Sequence, residues 1–448
     1  MKPLRDIADD LEGGRTTSEA LTDQALARIA DPAGEGRRTF LKVHEDAARA
    51  AARASDRLRR AGLVPSPLAG IPVSVKDLFD IAGDVTTAGS RALADARPAA
   101  ADAPAIARLR AAGAVIIGRT NMTEFAYSGL GLNAHFDTPR NPWDRATGRI
   151  PGGSSSGAAV SVTDGMAAFA IGTDTGGSVR IPAALCGLTG CKPTARRIPR
   201  DKVFPLSRTL DSVGPLAPTA ACCALVDAVM AGAPPDLPDA APIAGLRFCV
   251  STTLVLDGLD DPVARAFQSA LSRLSRAGAR VSEIPFPELD RIPELSPHGG
   301  VLAAEALAVH RKLIAEKGDL YDARVRTRIL RATALTAADY VELFEARLAL
   351  IAAAARRTAP YDAALFPTTP MVAPAIAALD ADERLYGQTN ILMLRNTSIG
   401  NYLDRCALSI PCHAPGEAPV GLMVMGETMG DARLLAVGLA IEAALNRE

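Results

Sequence analysis

Residues 149–193 read RIPGGSSSGAAVSVTDGMAAFAIGTDTGGSVRIPAALCGLTGCKP and contain two clusters of glycine and serine. The first cluster spans residues 152–157 and the second spans residues 176–178. Between them, a run of small residues predicts a helix, and residues 167–171 predict a buried strand. Adjacent glycines let a ligand approach the backbone closely and leave N–H groups free to point at an anion. The stretch therefore predicts a phosphate-binding site or an oxyanion hole.

Helices and short apolar strands alternate outward from this stretch. Asp102 and Pro104 mark the start of a predicted helix that ends at Gly113, and AVIIG follows as a strand. Asp261 is the predicted N-cap of a second helix, which ends at Gly278 before the strand ARVSEIP. This alternation predicts an α/β fold with a largely parallel or mixed sheet.

The composition limits the class of protein. The 448 residues include 49 Lys and Arg against 50 Asp and Glu, and 48% are hydrophobic, which suits a large buried core. The near-zero net charge argues against a nucleic-acid partner bound by general attraction. The N-terminus lacks the apolar stretch of a secretion signal, and every apolar run is shorter than the roughly 20 residues of a membrane span. We expect a cytoplasmic protein without a membrane partner, and the seven cysteines have neither disulfide-framework nor zinc-site spacing.

Two other motifs are imperfect. GLTGCKPT, at residues 187–194, looks like a phosphate loop, but Lys192 is followed by Pro193 where that motif needs Ser or Thr. A G-x-S-x-G pattern places Ser155 as a nucleophile, and His413 would complete its triad. That motif requires a preceding strand, and ATGRIPG is not strand-like. The pattern remains open as a minor alternative.

A lysine stands in a predicted strand upstream, in GIPVSVKD at residues 70–77. Val73 and Val75 alternate there with Ser74 and Lys76. An isolated lysine in this position usually faces solvent on an edge strand. If it is buried instead, its pKa falls and it can act as a base.

The order GIPVSVKD, PGGSSSG and GTDTGGSVRIPAALCG resembles the amidase signature family. The resemblance continues over essentially the whole chain, in TTAGS (86–90), RLRAAGAVIIGRTNMTEFA (108–126), NPWD (141–144), LDSVGPLAPT (210–219) and YDAALFPTTP (361–370). It implies an α/β fold in which helices cover both faces of a large mixed, mainly parallel β-sheet. It also implies a single amidase domain over residues 1–448: an N-terminal helical segment (1–62), a signature core (63–220), and a C-terminal half (221–448) that completes the sheet and the substrate pocket.

The resemblance assigns roles position by position. Ser178 matches the acyl-forming nucleophile, Ser154 the bridging serine that the family holds in a cis peptide bond, and Lys76 the base. A serine hydroxyl is a poor nucleophile at neutral pH, so a base must take its proton during attack. A lysine can serve only where burial lowers its pKa from about 10.4 toward neutrality. The implied oxyanion hole consists of the successive backbone N–H groups of Thr175, Gly176, Gly177 and Ser178.

The resemblance also covers two charged residues beside the second Gly/Ser cluster, and the chain departs from the family pattern at one position in the first cluster. We expect Asp174 and Arg180 to hold the second turn by hydrogen bonds and an ion pair. The family's first cluster is most often GGSSGG, and here Ser156 replaces a glycine. This replacement leaves both proposed catalytic serines in place.

The implied activity is hydrolysis of a C–N bond in a small-molecule amide, carbamate or urea-type substrate, without a metal or other cofactor. The alternative is the glutaminase (A) subunit of a tRNA-dependent amidotransferase. That branch carries a tyrosine-rich run where this chain has TAADYVELFEARLAL, so the free-standing hydrolase is favoured. A homodimer is left open, since homodimers are common in the family. By analogy the substrate-facing residues come from the loop 127–133 and from residues 387–401, with these candidates: Tyr127, Ser128, Gly129, Gln388 and Asn401.

Overall fold

A computed structural model describes residues 1–446 of the chain. Eleven strands occur among these residues: β1 (Phe40–Val43), β2 (Pro72–Lys76), β3 (Val115–Thr120), β4 (Phe169–Asp174), β5 (Thr189–Lys192), β6 (Ser212–Ala217), β7 (Arg247–Ser251), β8 (Arg280–Ile284), β9 (Ala363–Pro367), β10 (Ala407–Pro411) and β11 (Gly421–Met425).

The same part of the chain forms fifteen α-helices besides short 3₁₀ turns. They are α1 (Leu4–Glu12), α2 (Ser18–Ala30), α3 (Gly36–Thr39), α4 (Glu45–Arg60), α5 (Pro104–Ala111), α6 (Ser156–Thr163), α7 (Arg180–Cys186), α8 (Ala220–Ala231), α9 (Asp261–Arg276), α10 (Gly300–Lys317), α11 (Ala323–Leu330), α12 (Ala337–Thr358), α13 (Ile376–Ala381), α14 (Glu383–Tyr402) and α15 (Asp431–Leu445). Within residues 1–446 no helix combines the length and the apolar character needed to cross a membrane.

The strands form one sheet in the order β1-β3-β2-β4-β6-β5-β10-β11-β9-β7-β8. The α/β class and the mixed sheet are confirmed, but the expectation of a mainly parallel sheet is met only in part. Four neighbouring pairs are parallel: β2–β3, β2–β4, β7–β8 and β7–β9. The other six are antiparallel. One reason is connection length, since residues 412–420 between β10 and β11 are too few for the crossover that a parallel pair requires.

Both faces of the sheet are covered. Along β7, Phe248 and Val250 pack into one apolar cluster, whereas Cys249 between them packs into another. Leu365 and Phe366 of β9 divide between the same two clusters. Because successive strand residues point to opposite faces, these two clusters lie on opposite sides of the sheet. This confirms the expectation of helices on both faces.

The strand that carries Lys76 lies inside the sheet. β2 is flanked by β3 and β4, and Lys76 aligns with Thr120 in this register. All five residues of β2 are buried. The edge-strand position that the isolated sequence pattern favours is therefore wrong.

Local element predictions hold with small shifts. The helix of residues 104–111 begins with Pro104 at its first turn, and the strand β3 follows it. The N-cap of α9 is Asp260 rather than Asp261. The first 62 residues form α1 to α4 and also β1, which pairs antiparallel with β3. The division of the chain into a single domain stays a prediction.

Candidate active site

Lys76 ends β2 with its side chain fully buried. Its Nζ donates hydrogen bonds to Ser154 Oγ at 2.7 Å and to Thr173 Oγ1 at 3.0 Å. Burial lowers the pKa of Lys76 to about 7, and the negative charges of Asp174 and Asp211 oppose this shift. Near neutral pH a large fraction of this lysine is therefore unprotonated and able to accept a proton.

The first Gly/Ser cluster forms an irregular loop beside this lysine. The peptide bond between Gly153 and Ser154 is cis, as the resemblance implies. Gly153 N–H donates to the Gly129 carbonyl at 2.8 Å, so the loop packs against the segment 127–129. On its other side, Ser155 N–H donates to the Ser178 carbonyl at 3.3 Å. The two Gly/Ser clusters are thus neighbours in space, with Ser154 in one and Ser178 in the other.

A buried ion pair brackets the second cluster. Arg180 Nη2 donates to Asp174 Oδ1 at 2.8 Å, and Arg180 Nε donates to Oδ2 at 3.0 Å. Burial raises the pKa of Asp174, but the Arg180 guanidinium and its hydrogen bonds outweigh this and hold it at about 2. Asn401 completes the bracket, since it accepts from Arg180 Nη2 at 2.7 Å and donates to Asp174 Oδ1 at 3.0 Å. The expectation that Asp174 and Arg180 stabilise the turn by hydrogen bonds and an ion pair is confirmed, and the Asn401 amide binds both of these side chains.

The turn between Asp174 and Arg180 is shaped by close backbone packing. Gly177 has a φ of +137°, and a Cβ there would lie 2.2 Å from Thr397 Oγ1. Thr397 Oγ1 donates to the Gly176 carbonyl at 2.6 Å, which fixes that peptide against α14. Within residues 1–446, the N–H groups of Gly176, Gly177 and Ser178 donate to no protein acceptor. Three successive donors are therefore available to an anionic oxygen, the arrangement that an oxyanion hole requires.

The alternative nucleophile Ser155 faces away from this turn. Its Oγ donates to the Thr173 carbonyl at 3.5 Å, and the side chain is fully buried against β4. The preceding residues 151–155 form no strand, so the strand-to-helix elbow is absent. His413 lies elsewhere, with its ring against Gly187 and its Nδ1 3.4 Å from the Val420 carbonyl. The interpretation of Ser155 and His413 as a triad is therefore wrong.

The GLTGCKPT segment is also structural. Thr189 to Lys192 form β5 in the middle of the sheet. Lys192 Nζ is buried and donates to the Pro193 carbonyl at 2.9 Å. Half of the segment is a sheet strand, so it does not form a phosphate loop. Among residues 1–446, no three His, Cys, Asp or Glu side chains are grouped as ligands of a metal ion would be.

The segment 127–129 is held by α14. Ser128 Oγ donates to Asn390 Oδ1 at 2.8 Å, and Gly129 N–H donates to the same oxygen at 2.9 Å. Tyr386 OH donates to Ser128 Oγ at 3.0 Å. Gln388, the helix residue named from the sequence, is exposed. The structure thus brings Ser128 and Gly129 to the Gly153 loop and places Asn390, not Gln388, against them.

Sequence reasoning named Asn401 but missed the rest of the polar stripe of α14. Tyr386, Asn390, Thr397 and Asn401 are spaced four, seven and four residues apart, so they share one face of the helix. All four are buried, and each contacts the site loops described above. The helical period of polar residues within 383–402 is the signal that identifies them. Gln388 is rotated about 200° from Tyr386 on the helix.

Tyr127 lies near two arginines. Its carbonyl accepts a hydrogen bond from Arg328 Nη1. Burial raises the pKa of the Tyr127 phenol, and the positive charges of Arg328 and Arg331 act against that shift. A cavity of about 660 Å³ adjoins this segment, with these polar side chains in its wall: His135, Tyr321, Asp322, Arg324, Thr327, Arg328, Arg331, Asp380, Glu383 and Tyr386. Arginines and carboxylates both line this cavity: Arg324 pairs with Asp380 and Glu383, whereas Arg328 and Arg331 form no ion pair among residues 1–446.

Comparisons with known proteins agree with this arrangement. The family model described as Amidase matches residues 20–435. The 2-amino-5-chloromuconic acid deaminase of Comamonas testosteroni is 39% identical over 404 residues, covering 89% of this chain and 87% of that protein. The A subunit of the glutamyl-tRNA(Gln) amidotransferase of Roseiflexus sp. (strain RS-1) is 35% identical, covering 98% and 95% of the two chains.

A solved structure extends the agreement to the whole fold. The crystal structure of an amidase has a TM-score of 0.88 to this chain, with 32% sequence identity, and the match covers 99% of both chains. The family model, the two relatives and this structure all point to the same group of proteins. The chain belongs to the amidase family, whose enzymes hydrolyse C–N bonds.

Proposed function

We propose that this chain hydrolyses a C–N bond of a small-molecule amide, carbamate or urea-type substrate through an acyl-enzyme on Ser178. One observation carries the proposal: the fully buried Lys76 Nζ lies 2.7 Å from Ser154 Oγ and has a pKa near 7. A lysine that contacts only hydroxyl oxygens in such a place is suited to accept a proton. The adjoining loop that contains Ser178 supplies both a hydroxyl and free N–H donors.

The reaction proceeds in two halves. Neutral Lys76 takes the proton of Ser154 as Ser154 takes that of Ser178, and Ser178 Oγ attacks the substrate's carbonyl carbon. The N–H groups of residues 175–178 stabilise the negative charge on the carbonyl oxygen, and each such donor lowers the barrier by about 3–4 kcal/mol. The proton then returns through Ser154 to the departing nitrogen as the C–N bond breaks. Water attacks the acyl group by the same relay and releases the acid.

The substrate we propose carries a carboxylate. The Comamonas testosteroni relative acts on 2-amino-5-chloromuconic acid, as its name states. In this chain Arg328 and Arg331 face Tyr127 at the segment that packs on the Gly153 loop. A guanidinium pairs with a carboxylate through two parallel hydrogen bonds, which gives both affinity and orientation. Acidic amides are therefore the first compounds to test.

The glutaminase of a tRNA-dependent amidotransferase is the second candidate, since the amidotransferase relative covers 98% of this chain. Glutamine is itself a carboxylate-bearing amide and would suit the same arginines. Dependence of glutamine hydrolysis on the other amidotransferase subunits, or their co-purification with this chain, would favour this candidate. Turnover of other acidic amides by the isolated chain would favour the free-standing hydrolase.

Covalent labelling tests the chemistry without knowledge of the substrate. An alkyl fluorophosphonate should add once to the wild-type chain by intact-mass spectrometry, and peptide mapping should place the adduct on Ser178. Ser178→Ala should remain unlabelled. Ser155→Ala is the matched control, since Ser155 Oγ faces β4, and it should label like the wild type. An adduct on Ser155, or equal labelling of Ser178→Ala, would overturn the proposal.

A further inference from the structure

Asp211 precedes β6 and contacts the proposed oxyanion turn. Its Oδ1 accepts a hydrogen bond from Thr175 Oγ1 at 2.5 Å. Its Oδ2 accepts from the N–H groups of Leu206 at 3.0 Å and Ser207 at 3.1 Å. The carboxylate therefore joins the first residue of the turn to the loop that leads into β6. A displacement of Asp211 would move both segments.

Asp211 also shares a cavity with the hydrogen-bond partner of Lys76. The cavity has a volume of about 430 Å³, and its wall includes both Asp211 and Thr173. Thr173 Oγ1 accepts the second hydrogen bond of Lys76 Nζ, at 3.0 Å. Arg200 lies in the same wall, but its Nη1 donates to the backbone carbonyls of Arg208 and Asp211 rather than to a carboxylate. Asp201, Lys202 and Arg208 also lie in this wall, but among residues 1–446 Asp211 forms no ion pair with a basic side chain.

The carboxylates of Asp174 and Asp211 both act electrostatically on Lys76, and they differ in whether they have an ion-pair partner. Asp174, which has the larger effect, forms an ion pair with Arg180. Asp211 forms no ion pair among residues 1–446, although the charge of Arg200 helps to favour its ionised form. Burial raises the pKa of Asp211 to about 6, although its hydrogen bonds with Thr175, Ser207 and Leu206 oppose this. The carboxyl group of Asp211 therefore ionises at higher pH than an ordinary carboxyl group, and its charge favours the protonated form of Lys76.

We propose that Asp211 is a positioning residue that holds Thr175 in the oxyanion turn and, by its charge, sets the pH at which Lys76 becomes a base. The inference rests on the proposed function, since it concerns the same relay. With Asp211 ionised, Lys76 keeps its proton to higher pH. Without that charge, the lysine deprotonates at lower pH and the relay becomes active in more acidic solution.

Asp211→Asn removes the charge and preserves the shape. The amide oxygen can accept from Leu206 and Ser207, and the amide nitrogen can donate to Thr175 Oγ1. The control is Asp227→Asn, because Asp227 is also buried, has a pKa raised by burial, and pairs with Arg197 rather than facing Lys76. The rate of Ser178 labelling by an alkyl fluorophosphonate, measured from about pH 5 to about pH 9, reports the state of the base.

The labelling rate should rise with pH along an acid limb to a plateau, and the midpoint of this limb is the pH at which the rate is half of the plateau. In Asp211→Asn we expect this midpoint to lie at least about 0.5 pH unit below that of the wild type. The Asp227→Asn profile should coincide with the wild-type profile. An unmoved limb in Asp211→Asn, or an equal shift in Asp227→Asn, would overturn the assignment of Asp211 while leaving the labelled nucleophile intact. Absence of wild-type labelling, or labelling of Ser178→Ala, would instead overturn the proposed function and this inference with it.

Asp211→Glu provides a second variant in case Asp211→Asn does not fold. It keeps the charge but lengthens the side chain that holds Thr175. The proposal predicts a lower plateau rate with the acid limb within about 0.3 pH unit of the wild type. A shift of the acid limb to lower pH in Asp211→Glu would contradict the proposal that the charge of Asp211 acts on Lys76. An unchanged plateau rate would contradict the proposal that Asp211 positions Thr175.

Discussion

Replacement of Lys76 by arginine is the sharpest test of the relay. Lys76 Nζ contacts Ser154 Oγ at 2.7 Å and Thr173 Oγ1 at 3.0 Å, so a guanidinium could still donate hydrogen bonds there. It could not accept a proton, because arginine stays protonated at every relevant pH. The substitution therefore separates a donor role in the structure from a base role in the chemistry.

The expected loss follows from the pKa of Lys76. Burial lowers that pKa from 10.5 to about 7. At pH 7 about half of the lysine is then neutral, against about one molecule in 3,000 for an ordinary lysine. This difference alone changes the availability of the base by about a thousandfold. We expect Lys76→Arg to retain less than about a thousandth of the wild-type kcat/KM at pH 7.

The pH profile gives the same test in the wild type. The active form of Lys76 is neutral, so kcat/KM should fall as the pH drops below about 7 and reach a plateau above it. Lys76→Ala should lose several orders of magnitude at neutral pH and recover partly at high pH, where hydroxide substitutes for the base. Lys192→Met is the matched control, since Lys192 is also buried with a lowered pKa but donates to the Pro193 carbonyl.

The measurement is steady-state turnover of the best compound from a panel of acidic and neutral amides, carbamates and ureas. Circular dichroism and thermal unfolding establish that each variant is folded. Near-wild-type turnover of folded Lys76→Arg would refute the proton relay even if Ser178 is the nucleophile. A loss of the acid limb in Lys192→Met would show that the limb does not report Lys76.

Three further outcomes are expected. Incubation with a strong chelator should leave activity unchanged, and a loss restored specifically by zinc or manganese would contradict the mechanism. Asn390→Leu should lower the free energy of unfolding by about 1–3 kcal/mol in urea, because Ser128 Oγ and Gly129 N–H lose their acceptor, whereas Gln388→Ala should change it by less than about 0.5 kcal/mol. Arg328→Met should raise KM for a carboxylate-bearing amide far more than for its neutral analogue, and equal effects would exclude carboxylate recognition.

The parts of the site that depend on local sequence could be predicted. The strand around Lys76, the strand before the second Gly cluster, and the Asp174–Arg180 pair all follow from short patterns or from motif resemblance. The same patterns could not show that β2 is interior, because an apolar strand with one lysine is compatible with either position. Burial of Lys76 depends on β3 and β4 on either side, which are roughly forty and ninety residues further along the chain.

The order of the strands and the contacts of α14 could not be predicted from the sequence, because both depend on contacts between residues that are far apart in the chain. Parallel or antiparallel pairing depends on which strands become neighbours, and β5 pairs with β6 and β10 rather than with β4, the strand before it in the chain. Asn390 meets Ser128 across 262 positions. Gln388 lies on the same helix but on its exposed side, and a helical period drawn over residues 383–402 separates Gln388 from Asn390.

The arrangement around Lys76 explains how a buried lysine can be a base beside two carboxylates. Burial removes the water that stabilises the ammonium form, whereas an unpaired carboxylate nearby would restore that form. Asp174 also favours the ammonium form, but Arg180 and Asn401 bind its oxygens and hold them in place. Ser154 and Thr173 offer hydroxyl dipoles in place of charges. The turn can therefore carry a permanent carboxylate for its shape without protonating the lysine, and this leaves Asp211 as the carboxylate whose charge acts on Lys76 without an ion-pair partner among residues 1–446.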